Sequence, residues 1–352
     1  MISGFSYDIS PGRILFGAGT FDAVAGEIER IGAQRALILS TPIQRAHAEQ
    51  LAGCLGPLVA GIFSEAAMHT PVPVTLKALA AFEAARADCV VSLGGGSTIG
   101  LGKAIAWRND APQIVIATTY AGSEVTPILG QTEDGIKTTV RDPRILPEVV
   151  IYDPTLTTGL PVSMSVTSGL NAMAHAVEAV YARDRNPVSS LMAFEGVRAL
   201  RDALRVIVGQ PHNLPARTNA LYGSWLCGSV LGTVGMALHH KLCHTLGGSF
   251  DLPHAETHAI VLPHSAAYNA EAAAQELQPL ADLFGGSIGG GLYDFARSLG
   301  APLALKDLGL KEPQLDDAAD LAVKNPYWNP RPVEREAVRA LLQRAWAGTR
   351  PE

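Results

Sequence analysis

Histidines carry the densest chemistry in this chain. Asn171 and His175 stand four apart in SGLNAMAHAVEAVY. On a helix, residues at that spacing share one face. His240 and His244 repeat the spacing in MALHHKLCHTLGG, and His239 and Lys241 flank His240 and point partly elsewhere. His254 follows in DLPHAETHA, after a Gly-Gly break. Two pairs and His254, bracketing one break, predict a common pocket between His239 and His254. Three histidines with one carboxylate make a good divalent transition-metal site. The matching fourth position holds Asn171, a neutral amide and a poor ligand. Histidine also titrates near neutral pH, which suits proton delivery.

A second group of residues fits a nucleotide. CVVSLGG (89–95) runs into Gly94-Gly95-Gly96-Ser97-Thr98, and IGLGKAIAW continues with helical spacing. Glycines let backbone approach a ligand, and a helix start offers free N–H groups and a favourable dipole to phosphate. The turn is not the GxGxxG dinucleotide fingerprint. The next apolar run ends in ATTYAGSEVT (117–126), a loop rich in hydroxyls. Two such loops after successive strands point to a ligand at the carboxyl ends of a parallel sheet. Thr118, Thr119, Ser123 and Thr126 are candidates for ribose and phosphate contacts. The run ALIL ends in Ser40-Thr41-Pro42, followed by Gln44 and Arg45, with no carboxylate for a ribose 2′-hydroxyl. NADPH is therefore expected to serve as well as NADH.

These residues need a scaffold, and the chain has two textures. The runs at 36–39, 58–63, 89–95, 114–119 and 148–154 read as buried strands, and the stretches 44–55 and 74–87 read as helices. Alternation of this kind predicts a doubly wound parallel sheet. After residue 160, Ala/Leu-rich segments dominate, at 166–182, 188–207, 215–233, 235–247, 255–284, 288–299 and 315–324. The expected architecture is an α/β domain over 1–160 and an all-α domain over 161–352. Pro161 marks a helix start near the junction.

Composition narrows the function classes. The formal charge of −6 and the lack of a long basic run argue against nucleic acid. No uninterrupted apolar run reaches the length of a membrane span, and the first residues lack a signal-peptide pattern. Cys54, Cys89, Cys227 and Cys243 show no CxxC spacing and read as free thiols of a reducing cytoplasm.

The ordered patterns GGGST…GK, TTYAGSEVTPI, LNAMAHAVE and HHKLCHTLGG…LPHAETHAIVLPH resemble the iron-containing alcohol dehydrogenase superfamily. The longer wording GGGSTIGLGKAIA, SGLNAMAHAVEAVYA and HHKLCHTLGGSFDLPHAETHA resembles its maleylacetate reductase branch. The resemblance implies a dehydroquinate-synthase-like fold and a homodimer. It implies NADH or NADPH contacts from Gly95, Gly96, Ser97, Thr118, Thr119, Ser123, Thr126 and Lys137. In metal-dependent members the ligands match Asn171, His175, His240 and His254, with aspartate at the first. A second family aspartate, after the glycine turn, is Gly100 here. Both departures fit the maleylacetate reductase branch, thought to work without metal. If a metal binds, His175, His240 and His254 are its expected ligands.

The activity so implied is NAD(P)H-dependent reduction of the alkene of maleylacetate to 3-oxoadipate, in catabolism of aromatic compounds. Chlorinated maleylacetates need similar groups. A dicarboxylate enone calls for cations at two carboxylates, a stabiliser for an enolate oxygen, and one acid. His175, His240, Lys241, His244, His254 and Asn171 are the expected catalytic set. Lys241 and protonated histidines replace a metal's charge, and His244 or His240 is the acid. Arg331 is a candidate for a carboxylate contact, and Tyr120 and Phe250 for pocket walls. A metal-dependent alcohol dehydrogenase is the alternative, with Glu178 or Asp251 as a substitute carboxylate. A lyase using the cofactor transiently and a non-catalytic nucleotide-binding protein are further readings.

Overall fold

The computed structural model describes Phe5, Tyr7, residues 12–134 and residues 136–352, leaving out the side chains of residues 136 and 137. The chain divides into two compact units. One spans residues 9–160. The other spans 161–352, and Phe5 and Tyr7 group with it.

The first unit is a six-stranded parallel sheet. Its strands are β1 (Arg13–Phe16), β2 (Ala36–Leu39), β3 (Val59–Phe63), β4 (Cys89–Gly94), β5 (Gln113–Ala117) and, after a hairpin, β8 (Val149–Tyr152). The hairpin pairs β6 (Ile128–Glu133) with β7 (Ile136–Arg141), antiparallel. Helices α1 (Val24–Arg30), α2 (Arg45–Leu55), α3 (Val72–Ala84) and α4 (Gly96–Asn109) make the crossovers. Central strands such as Ile114–Ala117 are fully buried, which explains their continuous apolar wording. Each buried Ile, Leu or Val there contributes about 1.5–3 kcal/mol.

Sheet order is β1-β8-β5-β4-β2-β3. The chain steps from β2 out to β3, then returns to place β4 on the other side of β2. Strand order therefore reverses between β2 and β4, and the carboxyl ends of those strands open the crevice where such sheets bind ligands. Strand β1 and the hairpin were not expected from the sequence. RILF is four residues long, and the hairpin's faces are only partly apolar, so neither leaves a strong periodic signal.

The second unit is helical. It holds α5 (Val162–Ala179), α6 (Pro187–Gly209), α7 (Leu214–Thr233), α8 (Leu238–Phe250), α9 (His254–Asn269), α10 (Ala274–Leu283), α11 (Ile288–Ser298), α12 (Gln314–Val323) and α13 (Arg335–Ala347). The Gly-Gly break expected after Leu246 does not occur. Gly247 and Gly248 lie inside α8, where Cys243, Leu246 and Leu252 around them are packed into the helical core. The helix ends at Phe250, two residues past Gly248; Asp251 then turns left-handed (φ 53°) and Pro253 opens α9. The long segment expected over 255–284 is two helices, α9 and α10. Helix α13 was not expected, although its buried Val338, Leu341, Leu342 and Ala345 keep helical spacing. Among the described residues no single helix is long and apolar enough to cross a membrane.

Candidate active site

Helix α8 organises the histidines. Its N-terminus has no capping side chain of its own. The carboxylate of Glu178, fully buried near the end of α5, takes that place. It accepts the backbone N–H of Ala237 (2.8 Å), His239 (2.7 Å) and His240 (3.4 Å). An anion at a helix N-terminus satisfies orphan donors and the dipole together, worth up to about 2 kcal/mol when partly buried.

The same carboxylate holds a side chain. His240 Nδ1 lies 2.7 Å from Glu178 Oε2, and His240 Nε2 lies 2.8 Å from His175 Nδ1. Glu178, His240 and His175 thus form one buried chain. With the carboxylate accepting from His240 Nδ1–H, the second proton of the pair sits between the two imidazoles. Asn171 lies one helical turn before His175, also buried.

A second chain runs beside it. Ser265 Oγ reaches the carbonyls of Val261 (3.1 Å) and Leu262 (3.0 Å), so its single proton serves one of them. His239 Nδ1–H then donates to Ser265 Oγ (3.0 Å), and His239 Nε2 accepts from His258 Nδ1–H (2.9 Å). His258 Nε2 is buried and has no hydrogen-bond partner among the described residues. Burial pushes both His239 and His258 well below the usual imidazole value, and neighbouring histidines push the same way. Both are neutral at pH 7. The His258 ring joins the chains, with centroids 5.2 Å from His240, 6.2 Å from His175 and 4.3 Å from His254.

Toward the surface the cluster opens onto Tyr327. His244 Nδ1 is 3.0 Å from the Tyr327 hydroxyl, and Lys241 Nζ sits 5.9 Å from that ring's centroid. Burial, with Glu178 next in effect, raises the tyrosine so that it stays a donor, and burial lowers the Lys241 amine. Arg331 is placed otherwise than expected. Its guanidinium stacks 4.2 Å over Tyr268 and donates to the Tyr268 carbonyl (3.2 Å), tying down the segment that carries Tyr327. Asn329 helps by exchanging two hydrogen bonds with Asn269 (2.9 and 2.7 Å). Phe250 packs against the helical core, and Tyr120 is fully buried in the sheet unit.

The structure thus brings His175, His240, His244 and His254 into one cluster. Sequence reasoning missed His258, Tyr327 and the central place of Glu178. His254 and His258 repeat the four-residue spacing of the other pairs, a signal present in PHAETHA.

In the sheet unit, the loops after β2, β4 and β5 interlock. Gln44 donates to Thr118 Oγ1 (3.0 Å) and accepts from Thr41 Oγ1 (3.2 Å). A Cβ on Gly94 would meet Gln44 Oε1 at 2.8 Å, and one on Gly95 would meet Thr119 Cγ2 at 2.6 Å. These two glycines are needed for loop-on-loop packing. Gly96 faces open space and opens α4, so its amide and that of Ser97 have no acceptor within the helix. Buried Lys103 pins the third loop through the carbonyls of Ser123, Thr126 (2.8 Å) and Ile128 (2.9 Å) and through Thr126 Oγ1 (2.9 Å). Thr126 is therefore inside the fold, whereas Ser97, Thr119 and Ser123 are partly open. Gly100 packs directly on the Thr70 hydroxyl, leaving no room for a side chain. The side chain of Lys137 lies outside the described residues; its backbone pairs with Thr132.

The sheet with its reversal, the helical unit and the histidine cluster define a protein class, and comparison with known proteins agrees. The profile described as iron-containing alcohol dehydrogenase matches residues 11–154, and the C-terminal profile of the same family matches 165–346. The chain belongs to the iron-containing alcohol dehydrogenase family. Within it, the chain is 66% identical over 348 residues to a maleylacetate reductase of Rhizobium sp. (strain MTP-10005), covering 99% of both chains. It is 53% identical to a maleylacetate reductase of Burkholderia cepacia, covering 99% of this chain and 100% of that one. The crystal structure of maleylacetate reductase from Agrobacterium tumefaciens superposes with a TM-score of 0.96 at 66% identity, covering 99% of this chain and 100% of the other.

Proposed function

We propose that this protein is a maleylacetate reductase that works without a metal. The observation that carries the reading is the chain Glu178–His240–His175, joined at 2.7 and 2.8 Å. It stands in a helical unit whose relatives of that name match along the whole chain.

Iron, which the family name implies, does not suit these donors. The position of the family's carboxylate ligand holds the amide Asn171. Glu178, the buried carboxylate beside the cluster, is spent on the α8 N-terminus and on His240.

The sheet unit fits a dinucleotide. Gly95, Gly96 and Ser97 at the start of α4 would hold phosphate, and Thr118, Thr119 and Ser123 the ribose, with Thr126 supporting the loop and Lys137 a further contact. Neither position 41 nor position 100 holds a carboxylate to reject a 2′-phosphate, so NADH and NADPH both serve. A bound nicotinamide supplies the hydride. It goes to the alkene carbon beta to the ketone, and the alkene's electron pair moves to the ketone oxygen as an enolate. A proton then goes to the alpha carbon.

His175, loaded with a proton from solvent on Nε2, delivers that proton to the alpha carbon and keeps on Nδ1 the one it shares with His240. Glu178, accepting from His240 Nδ1–H, keeps that ring correctly turned. Lys241 and His244 take a substrate carboxylate at the Tyr327 end, and His254 with Asn171 lines the enolate side. This refines the expectation that His244 or His240 is the acid. The active form is a homodimer in the cytoplasm.

The test is oxidation of NADH and NADPH by maleylacetate after dialysis against a strong chelator. Undiminished turnover at substoichiometric metal is expected. Loss of activity with rescue by Fe²⁺ or Zn²⁺ overturns the metal-free reading. Asn171→Asp should raise affinity for those ions.

A further inference from the structure

His239, Cys243 and His258 form a cluster that the proposed reaction does not use in full. His239 and Cys243 are four apart on α8, and His258 faces them from α9. All three are buried, and their nitrogen and sulfur ligand atoms lie within 4.8 Å of one another. Cys243 Sγ is 3.6 Å from His239 Nε2. That is the edge expected for one sulfur and one nitrogen on a single tetrahedral ion, about 3.6 Å from Zn–S near 2.3 Å and Zn–N near 2.0–2.1 Å.

We propose that His239 Nε2, His258 Nδ1 and Cys243 Sγ form a site for a thiophilic divalent ion such as Zn²⁺, Cd²⁺ or Co²⁺. The proposal does not rest on the reaction assigned above. The donor set is the soft counterpart of the one at His175 and His240: two neutral imidazoles and a thiol in place of imidazoles and an amide. Ligating histidines normally donate their other N–H to a nearby oxygen, and His239 already does so to Ser265.

Proton accounting closes. The ion takes the lone pair of His239 Nε2 and that of His258 Nδ1. The proton now on His258 Nδ1 moves to His258 Nε2, which is buried and lacks a partner among the described residues. The thiol of Cys243 loses its proton to solvent, so each ion bound releases one proton. The His239–His258 separation of 2.9 Å must widen by about 0.4 Å to reach the spacing of two nitrogens on one ion.

The experiment is cobalt titration of the full chain, followed by absorption spectroscopy. One thiolate-to-cobalt charge-transfer band per chain is expected, with one proton released. The band should vanish in Cys243→Ala and survive in His175→Asn, which disrupts only the other cluster. Cys243→Ala should keep basal activity yet need at least about tenfold more Cd²⁺ for inhibition. A band that persists in Cys243→Ala, or no band at saturating cobalt, overturns the site. His258→Gln, which removes a different ligand, must also weaken cobalt binding if the assignment is right.

Discussion

His239 and His240 are neighbours in the chain, yet they belong to different electrostatic worlds. His240 donates to a carboxylate, Glu178, and passes contact on to His175. His239 donates to a hydroxyl, Ser265, and receives from His258. Both chains are buried, and each ends in a second imidazole. Only the terminal partner differs. The carboxylate can only accept, whereas the hydroxyl also donates onward to a backbone carbonyl, and burial keeps the His239–His258 pair neutral. Residue type alone does not set the role of a histidine; the atom behind it does.

The largest effect should come from removing that anion. Glu178→Gln keeps the shape and an acceptor for the α8 amides but removes the charge. Turnover should fall by about 10²–10⁴-fold, the usual worth of a positioned acid. Steady-state kinetics with maleylacetate measures this, and an unchanged kcat would show the two chains to be equivalent.

Next comes acid stability, which belongs to the neutral chain. His239 and His258 lie below the imidazole's 6.5 in the fold, so the unfolded chain takes up protons first. Stability is complete above pH 6.5 and is lost as pH falls below it. Buried His264, down at about 4, acts in the same sense and removes about 3 kcal/mol between pH 6.5 and 4. Urea unfolding across that range should show the slope, and His264→Leu should flatten it. A flat curve from pH 7 to 4.5 would contradict buried neutral imidazoles.

Smaller effects mark the rim. Lys241→Met should raise KM about tenfold to a hundredfold and change kcat little, since a charged hydrogen bond contributes about 1.5–3 kcal/mol. Tyr327→Phe removes one neutral donor and should raise KM only a few-fold, about 1 kcal/mol. If Tyr327→Phe instead matched Glu178→Gln, proton delivery would run through His244.

Much of this could be read in the sequence, and for physical reasons. Parallel strands buried on both faces spell continuous apolar words, so five of the six were visible. Histidine pairs at four-residue spacing marked the helical faces of the cluster. What stayed hidden depends on contacts distant in sequence. Glu178 caps a helix that begins sixty residues later, and nothing local in EAVY announces that. Tyr327 reaches His244 from a segment with no regular structure. The Gly247-Gly248 pair misled because packing around α8 outweighs the local cost of two glycines, about 1 kcal/mol each.

Gly100 carries a consequence for descent. The family pattern places an aspartate there, and in this chain the Thr70 hydroxyl fills the space its side chain would need. Thr70 is itself buried, left-handed at φ 47°, and linked through its carbonyl to Thr132. Gly100→Asp alone should be poorly tolerated, and Thr70→Ala should relieve it. A lineage with this pairing can regain the acidic residue only if position 70 shrinks first. The order of substitutions is constrained, so the proposed acceptance of both nucleotides is easier to enter than to leave.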